Sequence, residues 1–214
     1  MVKVIQASEI NLRDIKAHFH LQRNDQADFF AEWHTDLPPL TETEIVALQE
    51  IKRDYLHLSE YTLLEPIVKM VILSPLLRLA GFYRPPFYLA AEQSVEVVSQ
   101  DEETVVRGRL DALVFTPQFW VLVIEAKRTQ FSLEVGIPQA LSYMLNNPTS
   151  EFPVFGLVTN GREFQFLKVV AGEFPQYAMS DLFSLYRGDD LNIVLQILKG
   201  LANRVKEVGI SRYK

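Results

Sequence analysis

Apolar positions change their period part-way along the chain. Over residues 61–82 they fall at Ile67, Val68, Val71, Ile72, Leu76, Leu77 and Leu79, the broad stripe of a core-facing helix. Pro66 suits its first turn, Pro75 should kink it and Gly81 should end it. Beyond Gly81 the period shortens to two. Residues 91–99 and 105–115 alternate, and 119–124 is almost continuously apolar, which predicts a central strand buried on both faces. Residues 133–145 read as a helix whose first turn Pro138 leaves uncertain. Residues 153–159 and 163–170 read as strands around Asn160-Gly161, a strong hairpin signal. Leu191, Val194, Leu195, Leu198, Leu201, Ala202 and Val205 mark a C-terminal amphipathic helix that starts near Asp189 or Asp190. The fold class expected is α/β (α+β), a mixed sheet flanked by helices.

Residues 1–60 look helical and polar, and are expected to form an N-terminal extension to a domain spanning 61–214. Two segments, about 9–33 and 41–57, are separated by Leu37-Pro38-Pro39-Leu40, where consecutive prolines cannot continue a helix. Thr41 with Glu44 three residues later has the form of a capping box. All four histidines, His18, His20, His34 and His57, lie here. On a helix His18 and His20 diverge, so surface positions are expected rather than a metal pair.

Charge narrows the picture. The 214 residues carry a formal net charge of −6, with Lys+Arg 21 and Asp+Glu 27. Residues 1–60 hold 6 basic and 11 acidic side chains, so the acidity is concentrated there and the remainder is nearly neutral. That leaves room for a local basic face without making the chain a basic nucleic-acid binder overall. The absence of cysteine removes thiol catalysis, disulfides and cysteine-ligated metals. No stretch reaches the roughly 18 apolar residues of a membrane span. Lys3, Glu9 and Arg13 interrupt any secretory-type apolar block, so no membrane association and a cytoplasmic setting are expected.

Three charges interrupt otherwise apolar strands: Asp111, then Glu125 and Lys127 in Glu125-Ala126-Lys127. Burying unpaired charge is costly, so they need a reason. A loop over 116–120 would pair Leu113 with Val123, Asp111 with Glu125 and Arg109 with Lys127, all on one face. Two opposed carboxylates repel, and a divalent cation between them resolves the conflict. Mg²⁺ prefers a few carboxylate oxygens plus water and phosphate, and can activate that water toward a phosphodiester. Lys127 beside it would orient the water or neutralise charge building on phosphorus. A turn over 100–103 would oppose Glu96 to Arg107 and Glu92 to Asp111. Glu92 is then a candidate third carboxylate, although a solvated strand face is the better reading for Glu92 and Glu96. A structural ion-pair cluster is the competing reading of Asp111, Glu125 and Lys127.

This arrangement resembles the PD-(D/E)XK nuclease superfamily, and within it the N-terminal nuclease domain of type I restriction enzyme R subunits. The residues that carry the resemblance are Gly108-Arg109-Leu110-Asp111, Val123-Ile124-Glu125-Ala126-Lys127, Gln139-Ala140-Leu141-Ser142-Tyr143 and Thr159-Asn160-Gly161. It covers about residues 61–170. The resemblance implies that Asp111 and Glu125 are metal ligands and Lys127 the catalytic lysine. It implies that Gln139 and Tyr143 position DNA or that lysine, and that Glu65 lies beside the metal. The cofactor implied is Mg²⁺, with Mn²⁺ as a substitute. R subunits continue into a helicase motor, but no Gly-x-x-x-x-Gly-Lys-Ser/Thr phosphate loop is found here, so ATP-driven translocation is not carried over.

The function expected is a metal-dependent DNA endonuclease of restriction type. DNA is the partner, a homodimer would suit two-strand cleavage, and motor or specificity subunits would act in trans. The alternative is a non-catalytic DNA-binding or protein-interaction module of the same fold.

Overall fold

The computed structural model describes residues 3–99, 104–117, 120–146 and 152–211. The turn expected over 100–103, and Phe119 of the expected central strand, lie outside the described residues. Among the described residues nine strands form one mixed sheet: β1 (Lys3–Gln6), β2 (Gln22–Arg23), β3 (Tyr88–Val98), β4 (Thr104–Phe115), β5 (Trp120–Ala126), β6 (Val154–Thr159), β7 (Glu163–Val170), β8 (Gln176–Met179) and β9 (Phe183–Ser184). Its order is β1-β4-β5-β6-β7-β8-β2, with β3 added on β4 and β9 on β7. The pairs β1–β4, β5–β6 and β2–β8 are parallel and the others antiparallel. β5 is buried along nearly its whole length, as continuous apolar sequence requires of a strand covered on both faces.

Among the described residues six α-helices flank the sheet: α1 (Leu12–His18), α2 (Glu42–Leu58), α3 (Glu65–Val68), α4 (Ser74–Leu79), α5 (Gly136–Met144) and α6 (Asp190–Ser211). One core packs α2, α3, α4 and α6 against the face carrying Leu122 and Ile124. The second packs α1 and α5 against the face carrying Leu113, Val123 and Val158. No helix among the described residues is long and apolar enough to cross a membrane.

The wholly helical reading of residues 1–60 needs correction. Thr41 and Glu44 do form the capping box that starts α2. Residues 9–33, however, hold only the short α1, the edge strand β2 and a 3₁₀ turn, and β1 precedes them. They lack a sustained helical stripe, and His20 has φ 52°, which ends a helix locally. β1 and β2 extend two edges of the common sheet, and Ile15 and Phe19 enter its second core.

The helix expected over 61–82 is interrupted. Residues Lys69–Leu73 form a wide π-turn, in which the Ser74 N–H donates to the Lys69 carbonyl. Pro75 lacks an N–H and its ring crowds the carbonyl four residues back, so a widened turn is the local solution. Pro138 sits in the first turn of α5, where its missing N–H is no loss.

The feature that places the site is a split in the sheet. β3 runs along one side of β4. On its other side β4 pairs with β1 from Thr104 to Arg107 and with β5 from Ala112 to Phe115. The segment Gly108-Arg109-Leu110-Asp111 lies between those two partners.

Candidate active site

The six residues to which the resemblance gives roles, Glu65, Asp111, Glu125, Lys127, Gln139 and Tyr143, lie around that split and join through hydrogen bonds and ion pairs into two adjoining groups. In the first, Lys127 Nζ donates to Glu125 Oε1 at 2.6 Å and to Gln139 Oε1 at 2.8 Å. Gln139 Nε2 donates to the Tyr143 hydroxyl at 3.0 Å, and that hydroxyl donates to the Arg109 carbonyl at 3.2 Å. The four-residue spacing of Gln139 and Tyr143 on α5 makes this relay. In the second group, Asp111 Oδ2 accepts from the Ala126 N–H at 2.7 Å. Its Oδ1 accepts from Lys69 Nζ at 2.6 Å, and Lys69 also pairs with Glu65 Oε1 at 2.8 Å.

Lys69 is a member of the cluster that the sequence reading does not single out. A signal exists, because Glu65 and Lys69 are four apart on an expected helix and must share a face. What sequence cannot supply is the packing that carries this face to Asp111 within β4.

Two glycines permit the close approach. A Cβ on Gly108 would collide with the Tyr143 hydroxyl and come within 2.5 Å of the Ala7 Cβ. A Cβ on Gly136 would lie 2.8 Å from Val158 and 3.1 Å from Lys127 Cε. The hairpin after β6 also serves the site. The Lys127 N–H donates to the Thr159 carbonyl at 2.7 Å, and Asn160 Nδ2 donates to the Phe131 carbonyl at 3.0 Å. Thr159 and Asn160 thereby fix the loop that leaves β5.

The expected register of β4 against β5 holds for Leu113 and Ala112 and stops short of the acids. Leu113 pairs with Val123 and Ala112 with Ile124, and the ladder ends one step before Asp111 and Glu125. Arg109 does not oppose Lys127, because β4 has left β5 by then. It pairs with Ser94 and donates to the Glu92 carbonyl and carboxylate. Glu96 opposes Arg107 as expected, and the two are ion-paired. Glu92 has φ 53° and interrupts the ladder opposite Asp111, so it is turned to Arg109 and is not a third carboxylate of the cluster.

Three carboxylates therefore face two ammonium groups. Glu125 is 2% exposed and its Oε2 is buried with no partner. Burial, with the Asp111 charge adding to it, pushes the Glu125 carboxyl up to about 8 against the pull of Lys127. Burial also raises Asp111. Glu65 is more open; burial opposes its ionisation, but the bonds to Lys69 and Asp111 outweigh that and lower it. Burial works against a charged Lys69 too, yet its two carboxylate partners raise it. The Tyr143 hydroxyl is pushed up to about 12, chiefly by burial, and stays a neutral donor.

Among the described residues no three acidic or histidine side chains converge into a complete metal cage. A buried carboxylate with one unpartnered oxygen, Glu125, beside the half-buried Asp111 nevertheless fits a hard divalent cation, which ordinarily completes its shell with water and phosphate. Beside them a cavity of about 580 Å³ opens at the split, lined by Gln6, Ser8, Arg107, Arg109, Gln139 and Tyr143 among others.

No family model and no curated protein matches the chain. Among solved structures it is similar to a fragment from Vibrio vulnificus provisionally assigned as an HsdR subunit of a type I restriction enzyme. Identity is 23% over 65% of this chain and 26% of that one, with a TM-score of 0.38. The chain thus spans about a quarter of that protein's length. So partial a likeness carries no functional weight, and the function has to be read from the chemistry of the site itself.

Proposed function

We propose that this protein is a divalent-cation-dependent deoxyribonuclease that hydrolyses phosphodiester bonds in DNA, with a PD-(D/E)XK-type centre. The observation that carries this is the half-buried Asp111 beside the buried Glu125, whose second carboxylate oxygen is unpartnered, flanked by Lys127 on its Gln139 support. Asp111 and Glu125 would hold Mg²⁺ or Mn²⁺, with Glu65 at the margin. The ion would supply a Lewis acid for the phosphate and lower the pKa of an attacking water.

The chain's own groups do the rest. Lys127 carries a fixed positive charge beside the carboxylates, where charge on a pentavalent phosphorus needs neutralising. Gln139 accepts from that ammonium and holds its direction, and Tyr143 holds Gln139. The cavity at the split would receive the DNA strand next to the cleaved bond, with Arg107 and Arg109 at its rim.

One observation favours the alternative, a non-catalytic module. Asp111, Glu65 and Glu125 already have ammonium partners, so the cluster is serviceable as a structural network. Supercoiled plasmid incubated with Mg²⁺ or Mn²⁺ separates the two. The nuclease nicks it, stops on chelation, and is inactive as Asp111→Ala or Lys127→Ala. Identical behaviour of wild type and Asp111→Ala sinks the nuclease, and DNA binding without cleavage supports the module.

A further inference from the structure

We propose that Lys69 is an internal counter-cation, seated between Glu65 and Asp111, that a divalent ion must displace in order to bind. The inference rests on the metal-dependent reading and adds to it what sets metal affinity.

The two lysines of the cluster are held differently. Lys127 has a neutral acceptor, Gln139, besides Glu125, and leaves the second Glu125 oxygen unengaged. Lys69 is held by two carboxylates, at 2.6 Å and 2.8 Å. With the Ala126 N–H on Oδ2, both oxygens of Asp111 are engaged. A Mg²⁺ bound to Asp111 would lie about 2.0–2.1 Å from one of its oxygens. On Oδ1, an ammonium and a divalent ion would then stand less than about 5 Å apart, and their repulsion there far exceeds a tenfold effect on affinity.

The local backbone places Lys69 for this and leaves it an exit. Lys69 opens the π-turn, a feature that recurs at functional sites. Its side chain keeps 22% of its surface in contact with solvent, and the neighbouring Met70 is 68% exposed. The long flexible lysine stem can swing outward along that exposed flank without disturbing Val68 and Ile72, which are fully buried below.

The test is Mn²⁺ titration calorimetry at one fixed pH on wild type, Lys69→Met and Asp111→Asn, with thermal unfolding in chelator and in Mn²⁺. Lys69→Met keeps the stem and removes the charge. It is expected to bind Mn²⁺ at least about tenfold more tightly than wild type. It should unfold at a lower temperature in chelator and gain more from Mn²⁺ than wild type does. A merely structural lysine would lower stability and leave Mn²⁺ affinity unmoved. Lys69→Arg, which keeps the charge, serves as a second variant and should not tighten binding; tightening there overturns the proposal. If Lys69→Met does not fold in chelator, Lys69→Gln takes its place under the same criterion. Unchanged or weaker Mn²⁺ binding by the neutral variant, with Asp111→Asn abolishing it, overturns this inference alone. Absence of Mn²⁺ binding by wild type and both Lys69 variants overturns the metal reading and this inference together.

Discussion

In the Glu125→Gln protein the one nearly inaccessible carboxylate of the cluster becomes a neutral amide whose oxygen still accepts from Lys127. Glu125 goes from an ordinary value of 4.5 to about 8 on folding. Between those values the folded protein keeps a proton that the unfolded chain has released. Stability from this group therefore falls as pH rises from about 4.5 to about 8 and is level above that. At 1.36 kcal/mol per pH unit the full effect is on the order of 3–5 kcal/mol, the largest titrating contribution of this site. Urea unfolding in chelator at pH 5, 6.5 and 8 measures it. Wild type should lose stability relative to Glu125→Gln across that window, and the variant should be the more stable at pH 8. A constant difference between the two proteins from pH 5 to pH 8 would refute the reasoning, because Glu125 would then be charged in the fold throughout.

Metal binding should release close to one proton at pH 7, because a bound carboxylate must be ionised; calorimetry in buffers of different ionisation enthalpy reads this directly. Gly108→Ala forces a methyl against Tyr143 and Ala7, and is expected to cost about 1–3 kcal/mol in denaturant unfolding and to lower cleavage through Gln139 and Lys127. Tyr143→Phe removes a bond to Gln139 and another to Arg109, and should cost about 1–3 kcal/mol with reduced cleavage. Lys168→Met, far along the sheet, strands the half-buried Glu32 carboxylate, whose Oε2 is already buried without a partner and whose partner ammonium lies 2.7 Å away. That should cost about 3–5 kcal/mol while cleavage by the folded protein is retained.

Much of the central sheet is legible in the sequence because its signals are local and repeated. Two-residue alternation marks β3 and β4, the apolar run marks β5, and Asn160-Gly161 marks the β6–β7 hairpin. β8 and β9 escape such a reading; they are four and two residues long, too short for a period, and exist because β7 offers an edge. β1 and β2 escape it for the same reason, and their polar neighbours make the N-terminal region look helical. In the site, Asp111, Glu125 and Lys127 stand out because charge is costly within apolar strands. Lys69 does not, because lysine four residues after glutamate is ordinary on a helix surface. Arg109 is misplaced by a register that continues past the point where β4 changes partner. A split between β1 and β5 is a tertiary event with no local mark beyond Gly108.

The central claim is that Asp111 and Glu125 jointly hold a divalent ion, and Mn²⁺ anomalous scattering from soaked crystals tests it most directly. A single strong peak bonded to oxygens of both residues is expected, absent from Asp111→Asn crystals. No peak there at saturating Mn²⁺, in protein that still nicks DNA, would contradict it.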